Sequence, residues 1–250
     1  MIKVKNISKY FGMHKVLKNV STTFQDGKVN LIIGRSGSGK TVLMKSLIGL
    51  WTPEEGKIEY SGHDIGEMST VERQKLRAEM GMVFQGSALF DSMTIEENVR
   101  FPLDMLTTQN KDEKAERVDF CLARVDLPRA HRLYPAELSG GMKKRAAIAR
   151  AIACQPRYLF CDEPNSGLDP KTSLLIDQLL AEITREFGIT TIINTHDLNS
   201  VITIGEHITF IYQGEIAWEG NKDEVLFSEN ELLNDFIYAQ PLTRKIRDKH

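Results

Sequence analysis

Val29-Asn30-Leu31-Ile32-Ile33-Gly34-Arg35-Ser36-Gly37-Ser38-Gly39-Lys40-Thr41-Val42-Leu43-Met44 decides how this chain folds. A short apolar run ends at Gly34, a turn of glycine and serine follows, and the chain resumes as the helix-like Val42-Leu43-Met44-Lys45-Ser46-Leu47-Ile48. This is strand, glycine-rich turn, helix, and it fits G-x-x-x-x-G-K-[ST]. Glycines let the backbone curl tightly, so successive N–H groups and a helix N-terminus converge on one anion. Lys40 is placed to reach outer phosphates, and the Thr41 hydroxyl to ligate Mg²⁺. The motif predicts a nucleoside triphosphate and leaves open what its energy drives.

Working outward, residues 1–33 alternate apolar and polar in short runs, such as Val16-Leu17-Lys18-Asn19-Val20 and Ser21-Thr22-Thr23-Phe24. Asp26-Gly27 is a hairpin signal, so an antiparallel β region is expected before the phosphate loop. After the loop helix, Lys57 to Gly62 reads as a strand, 69–79 as a helix, and Gly81-Met82-Val83-Phe84 as a buried strand ending at Gln85. Strand signal then nearly vanishes between Thr94 and Ala153. Lys111 to Val125 carries Ala115, Val118, Phe120, Leu122 and Val125 near helical spacing, and Met142 to Ala153 is rich in alanine and arginine. Alternation resumes with Tyr158-Leu159-Phe160-Cys161, a helix around 174–187, and Thr190-Thr191-Ile192-Ile193-Asn194. Such continuous β-prone runs suit a parallel sheet covered on both faces. Ile208 to Tyr212, Gln213-Gly214 and Glu215 to Trp218 form a last hairpin. The expected fold is α/β, with an N-terminal antiparallel β subdomain and an inserted helical subdomain at about 90–153.

The composition, 41% hydrophobic and 26% charged, is that of a soluble globular protein. Thirty-two basic against 34 acidic residues leave a net charge of −2, so no global basic field recruits nucleic acid. Cys121, Cys154 and Cys161 are too few and too odd for a disulfide framework, which suits a reducing cytoplasm. The start, Met1-Ile2-Lys3-Val4-Lys5-Asn6, lacks the apolar core of a signal peptide. No apolar run approaches the ~20 residues needed to cross a bilayer, so any membrane role needs another chain to span it.

Phe160-Cys161-Asp162-Glu163 sets two carboxylates at the C-terminal end of an apolar strand, where open parallel sheets bind ligands. Asp162 suits the Mg²⁺ shell, and Glu163 suits the polarisation of an attacking water. His196 ends a second strand; its imidazole is either a contact for a γ-phosphate or a surface or capping histidine. Gln85 is either a ligand to ion and water or a polar residue opening a loop. Ser139-Gly140-Gly141, at a helix start, forms a second anion cradle or simply a well-capped helix.

Taken in order, Gly34-x-x-Gly37-x-Gly39-Lys40-Thr41, Gln85, Leu138-Ser139-Gly140-Gly141, Phe160-Cys161-Asp162-Glu163-Pro164, Ser166-Gly167-Leu168-Asp169 and Asn194-Thr195-His196-Asp197 resemble the complete motif set of an ABC-type ATPase. The resemblance covers residues 1–225, read as one domain with a P-loop NTPase core. It implies ATP with Mg²⁺, held between the loop of one subunit and Ser139, Gly140 and Gly141 of its twin in a homodimer. The catalytic set it implies is Glu163, His196 and Gln85; the nucleotide set is Phe11, Gly34, Arg35, Ser36, Gly37, Ser38, Gly39, Lys40, Thr41 and Val42, with Asp169 in trans; the metal set is Thr41, Gln85 and Asp162. Phe11, with Tyr10 as its rival and core packing as the alternative, is expected to stack on adenine.

Val83 to Val99 and Phe101-Pro102-Leu103 after it, together with Ser38-Gly39-Lys40-Thr41-Val42-Leu43, resemble the ATPase of the maintenance-of-lipid-asymmetry (Mla) phospholipid transporters. That likeness implies an integral-membrane permease docking near Gln85–Thr94 on Ala88, Leu89, Phe90 and Met93, lipid-binding subunits as further partners, and a location on the inner face of the cell membrane. The alternatives are another importer or lipoprotein exporter, or a soluble iron–sulfur assembly ATPase. Met142 stands where glutamine is commonest in the family, and Asn165 where threonine is usual. Residues 226–250 read as a C-terminal helix and a basic tail of Arg244, Lys245, Arg247 and Lys249. Lys143, Lys144, Arg145 and Arg150 are expected to be a solvated helix face.

Overall fold

The computed structural model describes residues 1–238. In chain order the elements are β1 (Ile2–Phe11), β2 (His14–Phe24), β3 (Val29–Ile33), α1 (Lys40–Leu47), β4 (Glu55–Tyr60), β5 (His63–Asp64), α2 (Thr70–Ala78), β6 (Met80–Val83) and α3 (Ile95–Leu106). They continue with α4 (Lys111–Arg124), α5 (Gly140–Ile152), β7 (Tyr158–Asp162), α6 (Pro170–Phe187), β8 (Thr190–Thr195), α7 (Leu198–Ile204), β9 (His207–Tyr212), β10 (Glu215–Gly220) and α8 (Glu231–Ile237). The chain is α/β, with an N-terminal antiparallel sheet and mostly parallel pairing elsewhere. It divides into two compact units, residues 1–68 with 192 onward, and residues 69–191.

In the first unit, β2-β1-β4-β5 form the antiparallel sheet, while β10-β9-β3-β8 run side by side in a second. The two short runs read at 16–24 are one continuous strand, β2, that pairs with β1 from Ile2↔Phe24 to Phe11↔His14. The hairpin turn is therefore Gly12-Met13, with Gly12 at φ 60°, and not Asp26-Gly27. Asp26-Gly27 instead passes the chain to β3, whose five residues are all buried and which pairs in parallel with β9. An Asp-Gly signal is local; a fully buried strand goes where both faces are covered, and that decides its partner. The β9–β10 hairpin closes at Gln213-Gly214 as expected. Helix α8 packs Phe236 on Phe210 at 5.4 Å between ring centroids. The basic tail at 244–249 lies outside the described residues.

In the second unit, β6 and β7 pair in parallel from Met80↔Tyr158 to Val83↔Cys161. Helices α2, α3 and α4 each begin with a capping box, at Ser69, Thr94 and Asn110. The buried stripe of α4 is Val118, Cys121 and Leu122, continued by Val125. Phe120, expected in that stripe, is exposed and lies edge-on to Phe187 of α6 at 6.0 Å. Burial pushes the Cys121 thiol up to about 11, as for a cysteine packed in the core.

Candidate functional site

The phosphate loop lies in the first unit. Strand β3 delivers Gly34 at φ 152°, where a Cβ would meet Ile211 O at 2.4 Å and Ser38 Oγ at 2.7 Å, so only glycine fits. Arg35, Ser36 and Gly37 are exposed, and Gly39, at φ 112°, is the N-cap of α1. Lys40 is only 6% exposed, yet its Nζ donates to Gly34 O at 2.8 Å and Arg35 O at 3.1 Å, which holds its charge inside the loop. Ser38 Oγ is buried with no hydrogen-bond partner. An orphaned hydroxyl and a buried ammonium at the N-terminus of α1 fit an anion. Thr41 is exposed and Val42 half-buried in the first turn of α1.

Phe11 is 43% exposed and lies edge-on to Trp51 at 4.9 Å, with Lys9 Nζ 5.5 Å from its ring centroid. It is therefore not packed in the β core. Tyr10 is otherwise engaged: its hydroxyl donates to Glu55 Oε1 at 3.2 Å, and Lys15 Nζ lies 5.0 Å from its ring centroid. His196 is exposed at the end of β8, and the cap of α7 is made by Asp197, which accepts from Asn199 N at 2.9 Å.

The second unit gathers Gln85, Glu163, Ser166 and Lys144. Strand β7 ends at Asp162, and Glu163 turns the chain with φ 46°, a left-handed value uncommon outside glycine. Gln85 Nε2 donates to Glu163 Oε2 at 3.1 Å and to Ser166 Oγ at 3.3 Å. Asn165 is buried, with Nδ2 at 3.4 Å from each carboxylate oxygen of the buried Asp177. That contact explains an amide where threonine is usual. Ser139 caps α5 by accepting from Met142 N at 3.3 Å, and Asp169 caps α6 by accepting from Thr172 N at 3.0 Å. The Thr172 hydroxyl also bonds Asp169 and holds its carboxyl below the usual range. Ser139, Gly140, Gly141 and Asp169 line one open cavity of about 640 Å³ with Leu168 and Thr172.

The basic residues of α5 are not the solvated face the sequence suggests. Lys144 is buried, and Arg150 donates to Ser87 O at 2.9 Å and Ala88 O at 2.6 Å. Arg145 bonds Val125 O and Asp126. The loop after β6 is thereby fastened, and Asn98, fully buried, completes it with bonds to Phe90, Met93 and Thr94. Phe84, Ala88 and Phe90 stay exposed, with Leu89 and Met93 half-buried. Among the described residues no group of three or more His, Cys, Asp or Glu could hold a metal ion, and no helix is long and apolar enough to cross a membrane.

The family model described as "ABC transporter" matches residues 17–166. The probable ribonucleotide transport ATP-binding protein mkl of Mycobacterium tuberculosis is 36% identical over 236 residues, covering 94% of this chain and 66% of that protein. This chain thus spans just under two thirds of that relative. The methionine import ATP-binding protein MetN of Clostridium tetani is 40% identical over 235 residues, covering 93% of this chain and 73% of MetN. A solved dimer of an ATP-binding cassette in a post-hydrolysis state with ADP and Pi superposes with TM-score 0.80 at 33% identity, covering 89% of this chain and 99% of that one.

Proposed function

This chain belongs to the ABC transporter family, and from that premise we propose that it is the ATP-hydrolysing subunit of a membrane transporter, acting as a homodimer. The observation that carries the reading is the second cradle. Ser139-Gly140-Gly141 opens α5 onto a cavity shared with Asp169, a helix N-terminus presented outward for an anion. In a dimer that cradle closes over the nucleotide held by the Gly34–Thr41 loop of the other copy.

The roles follow from the chemistry of each group. The loop amides and Lys40 bind the β- and γ-phosphates, and Phe11 offers its exposed ring to the adenine. Glu163 orients the attacking water and takes its proton, and the Gln85 amide, bonded to that carboxylate, fixes where the water sits. His196 contacts the γ-phosphate from its strand end. The Thr41 hydroxyl, the Asp162 carboxylate and the Gln85 amide are hard oxygen donors of the kind that would hold Mg²⁺. When bound, that ion neutralises charge on the β- and γ-phosphates.

The fastened loop with Phe84, Ala88, Leu89, Phe90 and Met93 is the docking surface for an integral-membrane permease. We assign the subunit to the cytoplasmic face of the membrane, beside the permease it would dock. The cargo we assign is phospholipid, on the likeness of residues 83–103 to the Mla ATPases; lipid-binding subunits would accompany the permease. The named relatives import or transport other cargoes, so the test is affinity purification from native membranes. A polytopic permease with bound phospholipid supports the assignment. A permease carrying an amino acid or nucleotide redirects the cargo, and a soluble iron–sulfur scaffold overturns the transport role.

A further inference from the structure

We infer that Lys144 is a positioning residue that ties helix α5 to the two groups of the hydrolytic corner, Gln85 and Glu163. The inference rests on the ATPase reading above. A helical lysine ordinarily runs its stem along the surface and keeps its ammonium in water. Lys144 is instead 5% exposed. Its Nζ donates to the backbone carbonyl of Gln85, and it lies 3.5 Å from the carbonyl of Glu163. Both acceptors sit just past the C-terminal ends of paired strands, β6 and β7.

The contacts close a ring. Lys144 holds the Gln85 backbone, the Gln85 side chain holds the Glu163 carboxylate, and the Glu163 backbone is held by Lys144 again. Glu163 keeps its left-handed φ of 46° inside this ring, a conformation that persists only where surrounding contacts over-determine it. Helix α5 starts with Ser139-Gly140-Gly141, and Gln85 starts the loop assigned to the permease. A shift of either is thus passed to the catalytic carboxylate through hydrogen bonds made by one ammonium. Arginine could keep the charge and donors; methionine would keep only the packing.

Burial pushes the Lys144 ammonium below its ordinary range, opposed by Glu163 and by Cys161, the other ionisable groups facing it.

The test is steady-state ATP hydrolysis of the full chain as wild type, Lys144→Met and Lys144→Arg. A base misplaced by about 1 Å costs about a hundredfold, so Lys144→Met should lose about that in kcat. KM for ATP should stay within about twofold, because the phosphate loop is untouched. Lys144→Arg should recover kcat to within about threefold with KM unchanged, since guanidinium keeps both the charge and the donors. An unchanged kcat in folded Lys144→Met overturns the inference, as does an equal loss in Lys144→Arg accompanied by a raised KM, the mark of a packing role. If Lys144→Met does not fold, Lys144→Gln takes its place, with a fall in kcat and an unchanged KM expected, and an unchanged kcat in that folded variant overturns the inference. A wild type that hydrolyses no ATP overturns the ATPase reading itself, which separates the two failures.

Discussion

Replacing Gly141 by alanine tests how closely α5 and α6 approach behind the second cradle. The new Cβ would lie 2.7 Å from Cγ2 of Thr172, well inside van der Waals contact. Thr172 cannot simply rotate away, because its hydroxyl donates to Asp169 Oδ2 at 2.5 Å while its amide caps the same carboxylate. Overpacking of this kind costs about 1–3 kcal/mol. Alanine over glycine in a helix returns up to about 1 kcal/mol. The balance is a destabilisation of about 1 kcal/mol, or about 2–4 °C in Tm for a chain of this size. Thr172→Ser removes the methyl that clashes and keeps the hydroxyl that bonds Asp169. In that background Gly141→Ala should become stabilising, so the sign reverses and the two sites couple by about 1–3 kcal/mol. The assay is thermal unfolding of the four proteins without nucleotide at one protein concentration. If Gly141→Ala lowers Tm equally in both backgrounds, the steric argument is wrong.

Asn98→Ala removes all four side-chain bonds that tie Phe90, Met93 and Thr94, from a site with no exposure. Leaving such groups unsatisfied costs about 1–3 kcal/mol; the loop at 84–94 should exchange its amides faster by mass spectrometry, and unchanged protection would contradict this. Glu59 accepts from Lys5 and pairs with Lys57, which hold its carboxyl at about 2 instead of 4.5. A lowered carboxylate pKa stabilises the fold above the unfolded value and is lost as pH falls through the folded one. Glu59→Gln should therefore lower Tm at neutral pH and match wild type near pH 2, with the curves converging between about 4.5 and 2; parallel curves would contradict it.

The parts of the fold that were legible are those whose burial is complete. Val29–Ile33, apolar but for Asn30, and Tyr158–Cys161 are buried throughout and appear in β3 and β7. The N-terminal hairpin was misplaced because Asp26-Gly27 reports only local turn preference, whereas the partner of β3 is His207 to Phe210, far along the chain. In α4 the phase slipped because cysteine, not phenylalanine, continues the stripe of Val118 and Leu122. The burial of Lys144 has a signal in the sequence around it. Ala146-Ala147-Ile148-Ala149 is buried on every side, so the middle of α5 is covered by neighbouring elements. Basic residues within it must find carbonyls. What no local pattern reveals is which carbonyls, since Gln85 and Glu163 are 59 and 19 residues away.

Glu163→Gln tests the central claim most directly, because the amide keeps the shape of the carboxylate and removes only its ability to take a proton. Size-exclusion chromatography with Mg·ATP, read beside phosphate release, should show no turnover and a stable dimer that forms with ATP and not with ADP. Wild-type turnover in the variant, or a monomer that ATP leaves unchanged, would contradict a clamp closed by two copies with Glu163 as its base.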